Sequence, residues 1–252
     1  MGKIQVRSLI IGEGQPKICV PIVEKAEEDI IRAASKIREQ NCHMVEWRAD
    51  YFDHYSDSVS LSRVLEKLRE TLGEMPLLFT FRTRPEGGCV ALDLEEYISL
   101  NHAAIQSGCI DLVDVEILRG DDTAFLVVEE AHSKGVYVVG SNHDFTGTPK
   151  KETIIMRLCR MQEMEADIAK MAVMPKSPRD VLVLMDATLA MKELHDSTPV
   201  VTMAMGKLGL ASRLTGELFG SAITFGTVGE GSAPGQIPVE PLAEILRQLA
   251  LE

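Results

Sequence analysis

Eight times along the chain, a short apolar run rich in Val, Ile and Leu gives way to a stretch whose apolar residues recur every three or four positions. Strand-then-helix alternation of this kind confines a chain to parallel sheets, because each helix returns the backbone to the side from which the next strand starts. The apolar runs are 17–23, 43–50, 76–83, 110–117, 136–143, 166–175, 198–205 and 221–228. Helices are predicted over 24–41, 60–72, 93–107, 121–134, 209–219 and 238–249, with two more marked by their starts. One of these opens with Thr148 as cap and Pro149 in its first position, and the other with a Ser177-Pro178-Arg179-Asp180 capping box running to about His195. Ahead of them, the β-prone stretch 4–11 meets the turn cluster Gly12-Glu13-Gly14-Gln15-Pro16.

Eight βα units in 252 residues predict an α/β protein, a (β/α)8 TIM barrel forming a single domain over 1–252. Residues 1–16 are expected as an N-terminal β-hairpin segment closing one end. An open doubly wound sheet is the runner-up, but its nucleotide fingerprints are missing. Gly229-Glu230-Gly231 is followed by Ser-Ala-Pro-Gly, one residue off GxGxxG, and Gly206-Lys207 lacks the upstream glycine and hydroxyl residue of a P-loop.

The sixth run, Ala166-Asp-Ile-Ala-Lys-Met-Ala-Val-Met-Pro175, is apolar on both faces except for Lys170. Lysines are seldom buried without a partner. An ordinary lysine is neutral in only about one molecule in a few thousand at pH 7, and a dry setting favours the neutral, nucleophilic amine. The chemistry a neutral lysine serves is imine formation with a ketone or aldehyde. The bland alternative is a strand-end lysine whose ammonium reaches water.

The barrel reading can be tested on the sequence itself, since active sites of such barrels lie at the carboxyl ends of the strands. Polar residues do collect there. Glu46 and Arg48 share a face at the end of the second strand, and Arg82 ends the third and leads into Glu86-Gly87-Gly88. Asp114 and Glu116 share a face of the fourth, and Ser141-Asn142-His143-Asp144 closes the fifth. Met203 and Met205 on the seventh offer apolar surface beside the amine, Arg213 lies just beyond, and the eighth feeds a Gly-rich loop with Ser232 and Gln236. His143, on the strand next to Lys170, is the natural proton carrier. The other histidines, His43, His54, His102, His132 and His195, fall at strand starts, in loops or on helices and are read as surface or packing residues. Glu86 is positioned to orient an imidazole or else is a solvated loop carboxylate. Arg48, Arg82 and Arg213 suit a carboxylate and hydroxyls on a small substrate.

A formal net charge of -12 argues against nucleic acid or an anionic membrane as partner. An anionic small molecule would therefore have to be met by arginines placed locally. Five cysteines, odd in number and without a CxxC pair, point to reduced thiols rather than a disulfide framework or a zinc site. There is no HExxH, and neighbouring His143 and Asp144 diverge on a strand, which disfavours a metal. No apolar run approaches membrane-spanning length, and Met-Gly-Lys-Ile-Gln-Val lacks a signal-peptide core and a myristoylation motif, so a cytoplasmic protein is expected.

Taken together, several segments resemble type I 3-dehydroquinate dehydratase, the Schiff-base family of the shikimate pathway. Asp114-Val115-Glu116-Ile117, then twenty residues, then Val138-Val139-Gly140-Ser141-Asn142-His143-Asp144 is similar to that family's signature. So are Glu46-Trp47-Arg48, Phe79-Thr80-Phe81-Arg82, Glu86-Gly87-Gly88, Lys170 to Pro175, Ser212-Arg213-Leu214, Phe219-Gly220-Ser221-Ala222 and Ser232 to Ile237, so that the likeness covers nearly the whole chain. The resemblance implies a lyase of aromatic amino acid biosynthesis that turns 3-dehydroquinate into 3-dehydroshikimate by syn elimination of water. Lys170 would form the imine and His143 would act as base and then acid, with Glu86 as the third catalytic residue. Arg213 would hold the substrate carboxylate, Glu46, Arg48 and Arg82 its hydroxyls, and Ser232 and Gln236 would sit on a closing loop. Met203, Met205, Phe145 and Phe225 complete the expected substrate contacts. No metal or cofactor is implied, and a homodimer is.

Three departures stand out: Pro21 where many members have serine, Lys176 where glutamine is common, and Gly229-Glu230-Gly231 in place of a more basic stretch. Two rival readings remain, a class I aldolase binding phosphate at the loop after strand eight, and a non-catalytic binding barrel in which Lys170 is ordinary.

Overall fold

The computed structural model describes residues 2–229 and 232–251. A short antiparallel hairpin comes first, β1 (Ile4–Val6) and β2 (Leu9–Ile11). The repeat then runs β3 (Lys17–Ile22), α1 (Glu27–Arg38), β4 (Met44–Arg48), α2 (Ser58–Leu72), β5 (Leu77–Thr80), α3 (Leu94–Gln106), β6 (Leu112–Glu116) and α4 (Asp121–Ser133). It continues with β7 (Tyr137–Asp144), α5 (Lys151–Glu163), β8 (Ile168–Val173), α6 (Pro178–Leu194), β9 (Val200–Ala204), α7 (Leu210–Leu214), α8 (Gly216–Phe219), β10 (Ile223–Thr227), β11 (Ile237–Pro238) and α9 (Val239–Gln248).

Strands β3 to β9 pair in chain order, all parallel, and β10 lies beside β3 with β11 on its other edge. The cylinder closes between β9 and β10 with little backbone ladder. The Ala222 N–H donates to the Val200 carbonyl at 2.8 Å, and the Ser221 hydroxyl stands in for the next rung. That hydroxyl accepts from the Thr202 N–H at 3.0 Å and donates to the Thr202 carbonyl at 3.2 Å. The fold is the eight-stranded TIM barrel expected from the alternation.

Inside and outside alternate along each strand, as the pleat requires. On β8, Ala169, Met171 and Val173 face the helices, whereas Ile168 and Ala172 belong to the interior cluster. Lys170 lies between those two interior residues. Below it, each barrel strand contributes one apolar side chain to a floor: Cys19, Met44, Leu78 and Leu112 from β3 to β6, then Val139, Ile168, Val201 and Ile223 from β7 to β10. Val6 and Ile11 of the hairpin plug this floor from outside, each burial contributing roughly 1.5–3 kcal/mol. Arg7 at the hairpin turn fastens the plug through Asp111 at 2.6 Å and Glu74 at 2.9 Å. The apolar floor thus closes this end beneath the amine, and charge gathers at the other end.

Three elements differ from the sequence expectation. Helix α5 begins at Lys151 rather than at Pro149, because the residues before it are tied to the end of β8: Met174 N–H donates to the carbonyls of Asp144 at 3.0 Å and Gly147 at 3.2 Å. The helix expected over 209–219 breaks at Thr215 into α7 and α8. Gly216 there sits so close to Pro16 that a Cβ would lie 2.7 Å from its ring, and an unbroken helix would collide with the entry to β3. The two-residue β11 is too short to carry a periodicity and has no counterpart among the expected strands. The capping box at Ser177 and Asp180 is present, with Asp180 accepting from the Ser177 N–H at 3.0 Å.

Candidate active site

Among the described residues, the buried charged side chains are Glu46, Arg48, Asp50, Arg82, Glu86, Asp114, Glu116, Lys170 and Arg213. Six of them lie at or just beyond the carboxyl ends of barrel strands, and Glu46, Asp114 and Lys170 sit midway along β4, β6 and β8. Buried charge is tolerated only where it is paired, so this end of the molecule has to be an ion network.

Lys170 Nζ is 3.0 Å from Asp114 Oδ2 and 3.4 Å from Glu46 Oε1, and it lies 5.0 Å from the centre of the Phe225 ring. The amine is thus buried, as the strand pattern suggests, but ion-paired as well as flanked by apolar surface. Glu46 is held in turn by the Thr80 hydroxyl at 2.9 Å. Arg82 sits at the centre of the network, with Nη2 2.7 Å from Asp114 and Nη1 3.0 Å from Glu116, and also donates to Ser141 Oγ at 3.0 Å. Burial alone would raise the Asp114 carboxyl. Arg82 and Lys170 overcome it and hold the group well below the usual carboxylate range.

Glu86 comes from the loop after β5. Its single turn of 3-10 helix, Arg84–Glu86, ends on Gly87 at φ 87, the left-handed conformation that glycine adopts without penalty. The next residue, Gly88, passes so near the Arg82 carbonyl that a Cβ would lie 1.8 Å from its oxygen. Asp50 anchors both sides of this loop, accepting from the N–H of Arg82 at 3.3 Å and of Cys89 at 3.1 Å while gripping Arg48 with bonds of 2.8 and 2.9 Å. The result places Glu86 Oε2 3.0 Å from His143 Nδ1 and 3.0 Å from the His143 backbone N–H, with Asn142 Nδ2 donating to Oε1 at 3.0 Å. Burial pushes the Glu86 carboxyl up to about 7 against the pull of Arg82. Burial, then the nearby cations Arg82 and Lys170, hold the His143 imidazole well below its ordinary value. With Nδ1–H donated to Glu86, a neutral His143 keeps Nε2 free as a base.

These groups open onto one cavity of about 460 Å³, including its mouth. Lys170, His143 and Glu86 line it, and so do Glu46, Arg48 and Arg82. Apolar walls come from Met203, Met205, Phe145 and Phe225, and the rim from Ser232 and Gln236. Ser232 and Gln236 fasten each other, the Ser232 N–H donating to Gln236 Oε1 and Gln236 Nε2 donating to Ser232 Oγ, both at 3.0 Å. Their loop rests on Gly206, whose N–H donates to the Pro234 carbonyl at 3.0 Å.

Arg213 is the one candidate that does not line the cavity. It lies beneath the loop, donating through Nη2 to the Pro234 carbonyl at 3.3 Å, and among the described residues its Nε and Nη1 have no hydrogen-bond partner. Burial pushes it down to about 10. Of the departures, Pro21 is buried opposite Glu46 on β3 and Lys176 is exposed near Gly147, while Glu230 and Gly231 lie outside the described residues. Sequence reasoning passed over Asp50, Thr80 and Asn142 as site residues. Asn142 and Thr80 belong to motifs named above and could have been found there, but Asp50 carries no local signal.

The type I 3-dehydroquinase family profile matches residues 18–252. The chain belongs to the type I 3-dehydroquinase family. Members of this family named 3-dehydroquinate dehydratase include one from Clostridioides difficile strain 630, 47% identical over 247 residues that make up 98% of this chain and 97% of the relative. Another, from Bacillus velezensis, is 48% identical over 98% of this chain and 97% of its own length. Among solved structures, the type I 3-dehydroquinate dehydratase from Clostridium difficile with covalent modified comenic acid superposes with a TM-score of 0.95 at 46% identity, covering 98% of this chain and 97% of that one. The 3-dehydroquinate dehydratase from Geobacillus kaustophilus HTA426 also reaches 0.95, at 41% identity over 98% of this chain and 96% of its own.

Proposed function

We propose that this type I dehydroquinase dehydrates 3-dehydroquinate to 3-dehydroshikimate through an imine on Lys170, with His143 as the proton carrier. The observation that carries the reading is a buried lysine amine and a carboxylate-oriented imidazole on adjacent strands, lining one cavity. The solved relative with covalent modified comenic acid supports a site that forms covalent bonds.

In this mechanism Nζ attacks the ketone carbon after its ammonium proton has passed to a neighbouring base, and the carbinolamine loses water to give an iminium ion. The iminium acidifies the adjacent carbon. His143 Nε2 removes a proton there, giving an enamine, and Glu86 stabilises the imidazolium as a third group does in a triad. The imidazolium then protonates the departing hydroxyl on the same face, so one residue serves both halves of a syn elimination. Hydrolysis of the remaining imine releases product and restores the amine. Arg213 pairs with the substrate carboxylate, for which it holds free donors, and Glu46, Arg48 and Arg82 contact hydroxyls. Met203, Met205, Phe145 and Phe225 exclude water, and the Ser232–Gln236 loop covers the bound ring.

The same reading makes the chain a single domain of the shikimate pathway acting as a cytoplasmic homodimer. Five free thiols are compatible with a reducing compartment, and no helix among the described residues is long and apolar enough to cross a membrane.

Borohydride treatment with 3-dehydroquinate, followed by peptide mass mapping, tests the proposal. The expected result is a reduced adduct on the Lys170 peptide, absent in K170A, while H143A still captures the imine but loses most dehydration. An adduct on another residue, or undiminished turnover in H143A, refutes the assignment; no adduct and no turnover would leave a binding barrel.

A further inference from the structure

The Glu86 carboxylate is positioned by three donors, and one of them, the Asn142 amide, depends on a residue outside the cavity. Arg157 on α5 donates from Nη1 to Asn142 Oδ1 at 3.1 Å. The same nitrogen lies 3.3 Å from Asp144 Oδ2, which aims it at the end of β7. We infer that Arg157 is a positioning residue for the dehydration: it fixes which way the Asn142 amide faces, and through that amide it holds Glu86 in the form that orients His143. The inference rests on the dehydratase reading above.

The argument turns on donor and acceptor chemistry. A guanidinium can only donate, so its partner on Asn142 has to be the oxygen, which leaves the NH2 group to face Glu86. An NH2 donor favours an ionised carboxylate. Without Arg157, no other donor among the described residues holds Asn142 Oδ1 against the amide turning over, and a carbonyl oxygen facing Glu86 favours the protonated acid instead. A protonated Glu86, with its proton turned towards Asn142, still accepts the His143 Nδ1–H through Oε2, but as a neutral carbonyl it holds that tautomer more weakly and no longer stabilises an imidazolium.

Glu86 is sensitive to such a change because its surroundings nearly balance. Arg82, 3.6 Å away, favours its charge, whereas burial and the carboxylates Glu116 and Asp114 of β6 oppose it, and His143 on β7 supplies a neutral donor. Arg157 is a quarter exposed on the helix layer, so replacing it does not open the core. Asp144 is the one confounding group, since losing Arg157 also frees its charge; Thr146 holds it independently, with the N–H at 3.1 Å and the hydroxyl at 2.6 Å.

The test compares R157M, R157K and D144N with wild type in kcat and KM against pH, and reads the His143 tautomer by 15N NMR of the ligand-free protein. In R157M the midpoint of the acid limb is expected to rise by about one pH unit, lowering kcat about tenfold at pH 6 while KM changes less than about twofold. The His143 signals are expected to move from Nδ1–H towards a mixture of tautomers. R157K, which still donates to Oδ1, recovers most of the loss, and D144N follows the wild-type profile. If R157M does not fold, R157L, which likewise has no donor, carries the same comparison. An R157M profile and tautomer indistinguishable from wild type, or a D144N shift equal to that of R157M, overturns the inference. H143A separates the two levels. If it loses dehydration as expected while R157M behaves as wild type, only the role of Arg157 falls; if it dehydrates normally, the underlying reading falls with it.

Discussion

Replacing Glu86 with glutamine should make the protein more stable as the pH rises, relative to wild type, while impairing catalysis. Burial pushes this carboxyl from its ordinary 4.5 up to about 7. Its folded-state value is thus above its unfolded one, so the stability it contributes is full below about pH 4.5 and is lost as the pH rises through about 7. By pH 8 the charged form penalises the fold by an amount on the order of 3 kcal/mol, an upper figure because the imidazole beside it adjusts. Glutamine removes the charge and keeps the volume. It also has to turn its amide towards Asn142, whose own amide is committed to Arg157, and that mismatch adds a penalty that does not depend on pH. The informative quantity is therefore the slope. Urea unfolding of E86Q and wild type at pH 5, 6, 7 and 8, at one fixed protein concentration, should show the difference in unfolding free energy moving in favour of E86Q by about 2–3 kcal/mol across the series. A difference that stays flat with pH would show that Glu86 is ionised without penalty, and the account of the dyad as a balanced pair would be wrong.

Two further outcomes rest on other parts of the structure. R213M should raise the thermal midpoint of the ligand-free protein, because a buried guanidinium with two nitrogens unpartnered among the described residues is replaced by apolar volume, and raise KM about 30-fold or more through loss of the charged donor proposed for the substrate carboxylate; an unchanged KM would remove Arg213 from binding. S221A should lower stability by about 1–3 kcal/mol, since the Thr202 N–H at the closing seam of the barrel loses its acceptor; denaturant midpoints matching wild type would show that the seam does not depend on that hydroxyl.

The barrel was legible because its evidence is periodic. A strand apolar on both faces followed by a helix with one apolar stripe repeats often enough that a misplaced boundary, such as the start of α5 at Lys151, leaves the architecture intact. Lys170, Glu46, Arg48 and His143 were legible for a related reason: a charged residue inside such a strand breaks a pattern and draws notice. Glu86 lies in a loop without a period, and only the path through Gly87 and Gly88 brings it to an imidazole 57 residues further on. Arg157 was invisible from sequence. On its helix it reads as one more surface cation, and its importance depends entirely on where β7 ends relative to α5. Asp50 escaped for the same reason, since it acts by holding a neighbour rather than by facing the cavity.

The ion network also explains which of its members is left to titrate. Arg48 pairs with Asp50, Lys170 with Asp114 and Glu46, and Arg82 with Asp114 and Glu116, while Arg119 at the edge stands 3.6 Å from Glu116. Arg213 stands apart, beneath the loop. Five buried carboxylates therefore meet four cations within the network, and one negative charge is in excess. It settles on Glu86, the carboxyl farthest from direct contact with a cation, with Arg82 no nearer than 3.6 Å. Placing the excess beside His143 gives a proton on that imidazole a carboxylate partner, against the burial and the cations Arg82 and Lys170 that keep the resting imidazole neutral. In the proposed mechanism, an imidazolium formed as His143 takes a proton from carbon would stand against that carboxylate, and it would surrender the proton when the hydroxyl leaves.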